Sequence, residues 1–196
     1  MAALSRNAQV LRFLLEEAPG VGHTKLAKYA YLADLEAIRH TGHQISEMRY
    51  SFYHHGPFDA VRFFAAKDEL LNGGFATDEI VLYGPYPGHC LQPTPVAVEY
   101  SFDRSEVEVL RYVVQSYLSH NAKDLCNEIV YQTEPMVGAE RDQELDMFKV
   151  RPNDDDVLGF RVERMLAGEA SAKSGVGIPL SDAKDELHRR LHTRGA

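Results

Sequence analysis

The chain has 196 residues, of which 44% are hydrophobic, 26% charged and 10% aromatic, a balance that excludes the disordered, collagen-like and membrane-embedded classes. Its net charge of -8 is shared, with 8 basic and 11 acidic side chains in residues 1–100 and 13 and 18 in residues 101–196. Neither half is therefore a basic lobe able to neutralise a phosphate backbone. Cys90 and Cys126 stand in unrelated contexts, which speaks against a disulfide framework or zinc knuckle and suits a reducing compartment.

Taken in chain order, Ala8, Leu11, Leu14 and Leu15 recur at helical spacing between a capping Ser5 and the breaker Pro19-Gly20. Arg6, Arg12 and the Glu16-Glu17 pair interrupt any leader-like apolar run, so this segment reads as a helix of the mature fold. A second helix is predicted from about Thr24 to His40, ended by Gly42, apolar around much of its circumference and hence central. From Glu47 to Tyr53 the period changes to alternation, with Met48, Tyr50 and Phe52 on one side and Tyr53 on the other, which predicts a half-buried strand. Pro57 is expected to open a third helix carrying Phe58, Val61, Phe64, Ala65 and Leu70 and stopped by Asn72-Gly73-Gly74. Phe75 to Tyr83 and His89 to Gln92, joined by G-P-Y-P-G, read as a hairpin.

Asp103 and Glu106 predict a capping box opening a helix that runs to Leu118. Asn121 caps another, carrying Ala122, Leu125, Cys126, Ile129 and Val130 as far as Gln132 before Thr133-Glu134-Pro135 breaks it. Polarity rises from Glu140, through Asp154 to Asp156 and the linker GEASAKSGVG, to a polar helix from about Ser181 to Thr193. The expected organisation is one domain over residues 1–150 and a polar, partly helical tail over 151–196. There is no internal repeat. The predicted fold class is α+β and mainly helical, with helices around a small antiparallel sheet and a winged-helix-like hairpin.

Catalytic and metal-binding patterns are sparse. His40, His43, His54 and His55 are close in sequence, yet no HExxH, CxxC or 2-His-1-carboxylate spacing accompanies them, so turn or surface histidines are the simpler reading and no metal is expected. His89 and Cys90 are direct neighbours whose side chains would diverge on a strand, which disfavours a thiol nucleophile. No nucleophile elbow, phosphate loop or dinucleotide fingerprint occurs, so neither a cofactor nor an enzyme is expected. In a winged-helix reading the recognition helix would be Phe58 to Leu71, but Arg62 and Lys67 there are opposed by Asp59, Asp68 and Glu69, which favours protein over DNA. Tyr53 and its turn stand out as contact candidates, because tyrosine suits surfaces that pack an apolar ring and bond a hydroxyl.

The run K-L-A-K-Y-A-Y-L-A-D (Lys25 to Asp34), the helix end with Gly42 and Ile45, and Y-S-F-Y-H-H-G-P-F (Tyr50 to Phe58) followed by an L-x-x-G-G break together resemble the SocA-like, or Panacea, antitoxin domain. The resemblance covers about Thr24 to Pro135. Two positions depart from the family pattern. His55 replaces the usual Tyr before Gly-Pro, and Tyr131 to Met136 stands where the family has a His before Pro-Trp.

The resemblance implies an antitoxin that neutralises a cognate bacterial or phage toxin, encoded next door, by direct contact and without catalysis. It marks Tyr31, Asp34, Tyr53, His54, His55, Gly56 and Pro57 as toxin-binding or family-motif candidates, with Asp34 expected to bond the turn before Pro57. A homodimer stays open. With no apolar run long enough for a membrane span, a cytoplasmic location is expected. Three alternatives stand beside this reading. A DNA-binding regulator would need a basic face built from residues such as Lys25, Lys28, Arg39, Arg49 and Arg62. An orphan phage-associated interaction module would share the fold. An enzyme would need His43, His54, His55 or Asp34 to converge.

Overall fold

A computed structural model describes residues 4–150, apart from 84–85. The predicted tail, with its linker and its helix from Ser181 to Thr193, lies outside the described residues, as does the centre of the hairpin turn. The described fold is α+β and mainly helical around small antiparallel sheets.

Helix α1 (Arg6–Glu17) is capped by Ser5, whose side chain accepts from the Ala8 amide. It is buried from Asn7 to Leu15, which is more than its predicted apolar stripe. Its buried polar members find partners: Gln9 donates to the Leu4 carbonyl and accepts from the Ser101 amide, each at 2.8 Å, and Arg12 donates from Nη2 to the Thr94 carbonyl at 2.8 Å and pairs with Glu16 at 3.0 Å. After the two-residue strand β1 (Val21–Gly22), helix α2 (His23–Thr41) runs through the core and ends at Gly42, whose φ of 80° makes the left-handed cap that glycine adopts without strain.

The strand expected over Glu47 to Tyr53 is shorter than predicted. Only Ser51–Tyr53 (β2) joins a ladder, antiparallel to β3 (Gly56–Phe58). The physical reason lies in the amides before it. Those of Ile45 and Ser46 bond Asp34, that of Glu47 bonds Asn7, that of Met48 bonds the Ser46 hydroxyl and that of Arg49 bonds Asp59. With each donor taken by a side chain, no row of free donors is left for a sheet. Met48 and Tyr50 are nevertheless buried, as their alternation predicts.

Pro57 likewise sits in β3 opposite Phe52 and does not open a helix. Helix α3 (Ala60–Asn72) begins after Asp59, whose side chain accepts from the Arg62 amide. In α3, Phe63, Ala66 and Leu70 face inward, while Val61 and Phe64, predicted as core, are exposed; Phe58, from which the predicted stripe was counted, lies in β3 outside the helix.

Strands β4 (Ala76–Tyr83) and β5 (Tyr86–Pro93) form the predicted hairpin, with β5 longer than expected. β1 adds to its free side, giving the order β1-β5-β4. Helix α4 (Arg104–Tyr117) opens with both halves of the predicted Asp103/Glu106 capping box, and Glu106 also pairs with Arg6 of α1. The helix predicted after Asn121 divides into α5 (Ala122–Asp124), a π-helical turn (Leu125–Ile129) and a 3-10 turn (Val130–Gln132). Beyond it the chain returns along β2, where the Phe52 amide donates to the Gln143 carbonyl and the Leu145 amide to the Tyr50 carbonyl. Leu145, Met147 and Val150 are buried there despite the polar sequence around them. Among the described residues no helix is long and apolar enough to cross a membrane.

Candidate functional site

The β2–β3 turn is held from below. Lys28 reaches out of α2, is buried, and donates from Nζ to the Pro57 carbonyl at 2.8 Å. Burial pulls its pKa down to about 8, because the ammonium has given up water for few partners. Gly56 has φ of +93°, and a Cβ there would stand 3.4 Å from Lys28 Nζ and 3.5 Å from Val130 and Tyr131 side-chain atoms. The positive φ therefore calls for glycine, while those distances are ordinary contacts. The Cys126 thiol donates to the His55 carbonyl at 3.5 Å, and burial raises its pKa.

On this fixed base Tyr53, His54 and His55 are exposed. Aromatic rings continue outward from them: Tyr53 to His54 at 4.5 Å between centroids, Tyr53 to Phe58 at 6.2 Å and Phe58 to Phe64 at 5.8 Å. Phe63 closes the base of the row, 5.3 Å from Phe58. Tyr53, Phe64 and Val61 keep 45%, 44% and 79% of their surface in water, although they belong to the residue types that folding normally hides. Arg141 borders this face, with a guanidinium nitrogen 3.1 Å from His54 Nδ1 and its charge above the Phe52 ring.

Asp34 does something other than the sequence suggested. It does not bond the turn before Pro57; Lys28 holds that turn. Fully buried, Asp34 accepts from the Ile45 amide at 2.9 Å, the Ser46 amide and the Tyr50 hydroxyl at 2.7 Å each, the Ser46 hydroxyl, and the Gln44 amide group at 3.4 Å. Burial pushes its carboxyl pKa up against those hydrogen bonds, which favour the charged form. Tyr31 is also wholly buried, its ring edge-on to Tyr50 and its hydroxyl 2.7 Å from that of Thr133, and burial pushes its pKa up to about 12.

Of the predicted site residues, the structure thus groups Tyr53, His54 and His55 on the surface, puts Gly56 and Pro57 beneath them, and places Tyr31 and Asp34 in the interior. None of the groups that Asp34 bonds is a histidine. The sequence reading missed Lys28 as the clamp, since its partner is 29 residues away, and it missed Val61 and Phe64 as surface because the stripe was counted from Phe58, which belongs to β3.

The cations weighed for a DNA face are largely engaged: Lys25 on the Leu118 carbonyl, Lys28 in the interior, Arg39 with Glu36 and Glu134, and Arg62 with Asp59. Among the described residues, the group with metal-ligand character is His23, Asp78 and His89, where β4 and β5 meet the start of α2; His40, His43, His54 and His55, weighed as metal ligands from sequence, are not part of it.

Comparison with known proteins gives a match of residues 26–135 to the family model described as antitoxin SocA-like, Panacea domain. No curated protein and no solved structure matches the chain.

Proposed function

From the premise that this chain belongs to the antitoxin SocA-like, Panacea domain family, we propose that it is an antitoxin which neutralises a cognate bacterial or phage toxin by direct protein-protein contact. The observation that carries the reading is the exposed aromatic row from Tyr53 through Phe58 to Phe64, with Val61, on a turn clamped by Lys28. Binding energy concentrates in a few large apolar anchors on rigid supports, because a preordered side chain loses little entropy on docking. The net charge of -8 steers a basic toxin toward this scaffold. Neutralisation is by occlusion of the toxin, and this chain contributes no catalytic step. Pairing of Arg39 and Arg62 with carboxylates supports a protein partner over a nucleic acid, since these charges are already compensated.

The test is to express the adjacent gene in bacteria with and without this protein, counting survivors and testing copurification. Wild type should rescue growth and copurify. The Val61→Glu/Phe64→Glu variant, altered only at exposed positions, should keep its circular dichroism and lose both. Retained rescue by the double variant would remove this face from the reading, and a harmless neighbour would remove the neighbour as the toxin.

A further inference from the structure

We propose that His23, Asp78 and His89 form a binding site for a divalent transition-metal ion of the zinc type, beside the base of the aromatic row, where the His23 and Phe63 ring centroids are 6.1 Å apart. Asp78 lies on β4 and His89 on β5; because Ile80 pairs with His89, Asp78, two residues earlier, projects on the same side of the hairpin as His89. His23 comes from the first turn of α2. His89 Nδ1 stands 3.0 and 3.1 Å from the two Asp78 oxygens, and His23 Nε2 stands 3.5 Å from Oδ2. The three donor atoms all lie within 4.8 Å of one another. In a tetrahedral site with bonds of about 2.0–2.1 Å the donors are roughly 3.3 Å apart, so the two edges through Asp78 are already near their bound length.

A second observation points the same way. The His23 Nε2 atom is buried and has no hydrogen bond of good geometry, its nearest acceptor being Asp78 Oδ2 at 3.5 Å, which is costly for a polar nitrogen unless something occupies its lone pair. The donor set of two imidazoles and one carboxylate suits borderline ions and is poor for magnesium or calcium, which want more oxygens. The His23 and His89 rings stack at 4.9 Å and 13°. A lone pair lies in its ring plane, so the His89 ring must turn to meet the ion, and its side chain, 53% exposed, has room to do so. Lys67 Nζ lies 3.1 Å from Asp78 Oδ2 and supplies the positive charge that the ion would bring. It is the neighbour that opposes binding.

Titrating chelator-stripped full-length protein with cobalt, read by visible ligand-field absorption, and then displacing the cobalt with zinc tests the site. Wild type should take up one equivalent. His89→Ala and Asp78→Ala should each weaken binding by about 100-fold or more, and Lys67→Gln should tighten it by about tenfold through removal of a nearby like charge. His43→Ala, which removes an exposed histidine outside the cluster, should leave cobalt uptake unchanged. No uptake at millimolar zinc, or uptake unchanged by His89→Ala, would overturn the site. Should Asp78→Ala fail to fold, His89→Ala on its exposed side chain decides the matter alone.

Discussion

Lys28 and Asp34 lie on the same helix and are both deprived of water, but they are satisfied to different degrees. Asp34 has five donors around it, whereas the Lys28 ammonium has the Pro57 carbonyl. Their difference shows in pH dependence. An unfolded lysine titrates near 10.4, while Lys28 in the fold titrates at about 8. Below that value both states carry the proton and the native state bears the full burial cost. Between about 8 and 10.4 the unfolded state binds more protons, so stability rises with pH, by up to about 3 kcal/mol from this group. Urea unfolding of wild type and Lys28→Met across pH 7 to 10.5 should show that increment in the wild type and its absence in the variant. Parallel pH curves for the two proteins would mean that Lys28 is not held as a buried ammonium. The presence of lysine and aspartate in the helix was plain in the sequence. What each bonds was not, because the partners lie 10 to 29 residues away on segments whose path depends on the fold.

Elements whose ends are written in local chemistry were the most legible. Ser5, Gly42 and the Asp103/Glu106 box stand where α1, α2 and α4 start or stop. The errors fall where a side chain competes for backbone donors. Residues 45–49 carry strand-like alternation, yet their amides are used by Asp34, Asn7, Ser46 and Asp59. The π-helical turn at Leu125–Ile129 inserts an extra residue into a pattern that a single helical period describes almost as well. Asp59 governs one such boundary: it caps α3 and also accepts from the Arg49 amide at 2.7 Å. Replacing it by Ala should lower stability by about 2–3 kcal/mol, from a lost cap and a stranded amide. Asp59→Asn, a comparably good cap, should recover most of that loss. Equal losses in chemical denaturation would assign the effect to charge and not to capping.

For the molecule as a whole, the charge of -8 acts at a range that individual contacts do not. If a basic toxin is the partner, its association rate should drop by about tenfold between roughly 0.05 and 0.5 M salt while dissociation changes little, a split that stopped-flow mixing reads directly. A salt-independent rate would mean that encounter is governed by the aromatic face alone. The sheet, by contrast, was only half legible, because β1 is two residues long and its pairing is entirely non-local. The Cys90 thiol and the Gly20 carbonyl that meet beside this pairing are 70 residues apart. At the roughly 5–20 residues per second of translation, about 4 to 14 s separate the synthesis of the two strands. During that interval α1 and α2 are made but β5, against which β1 closes, does not yet exist. The short edge of β1 must therefore wait without its partner strand while residues 23–85 are made, and the speed of translation over that stretch sets how long the edge stays open.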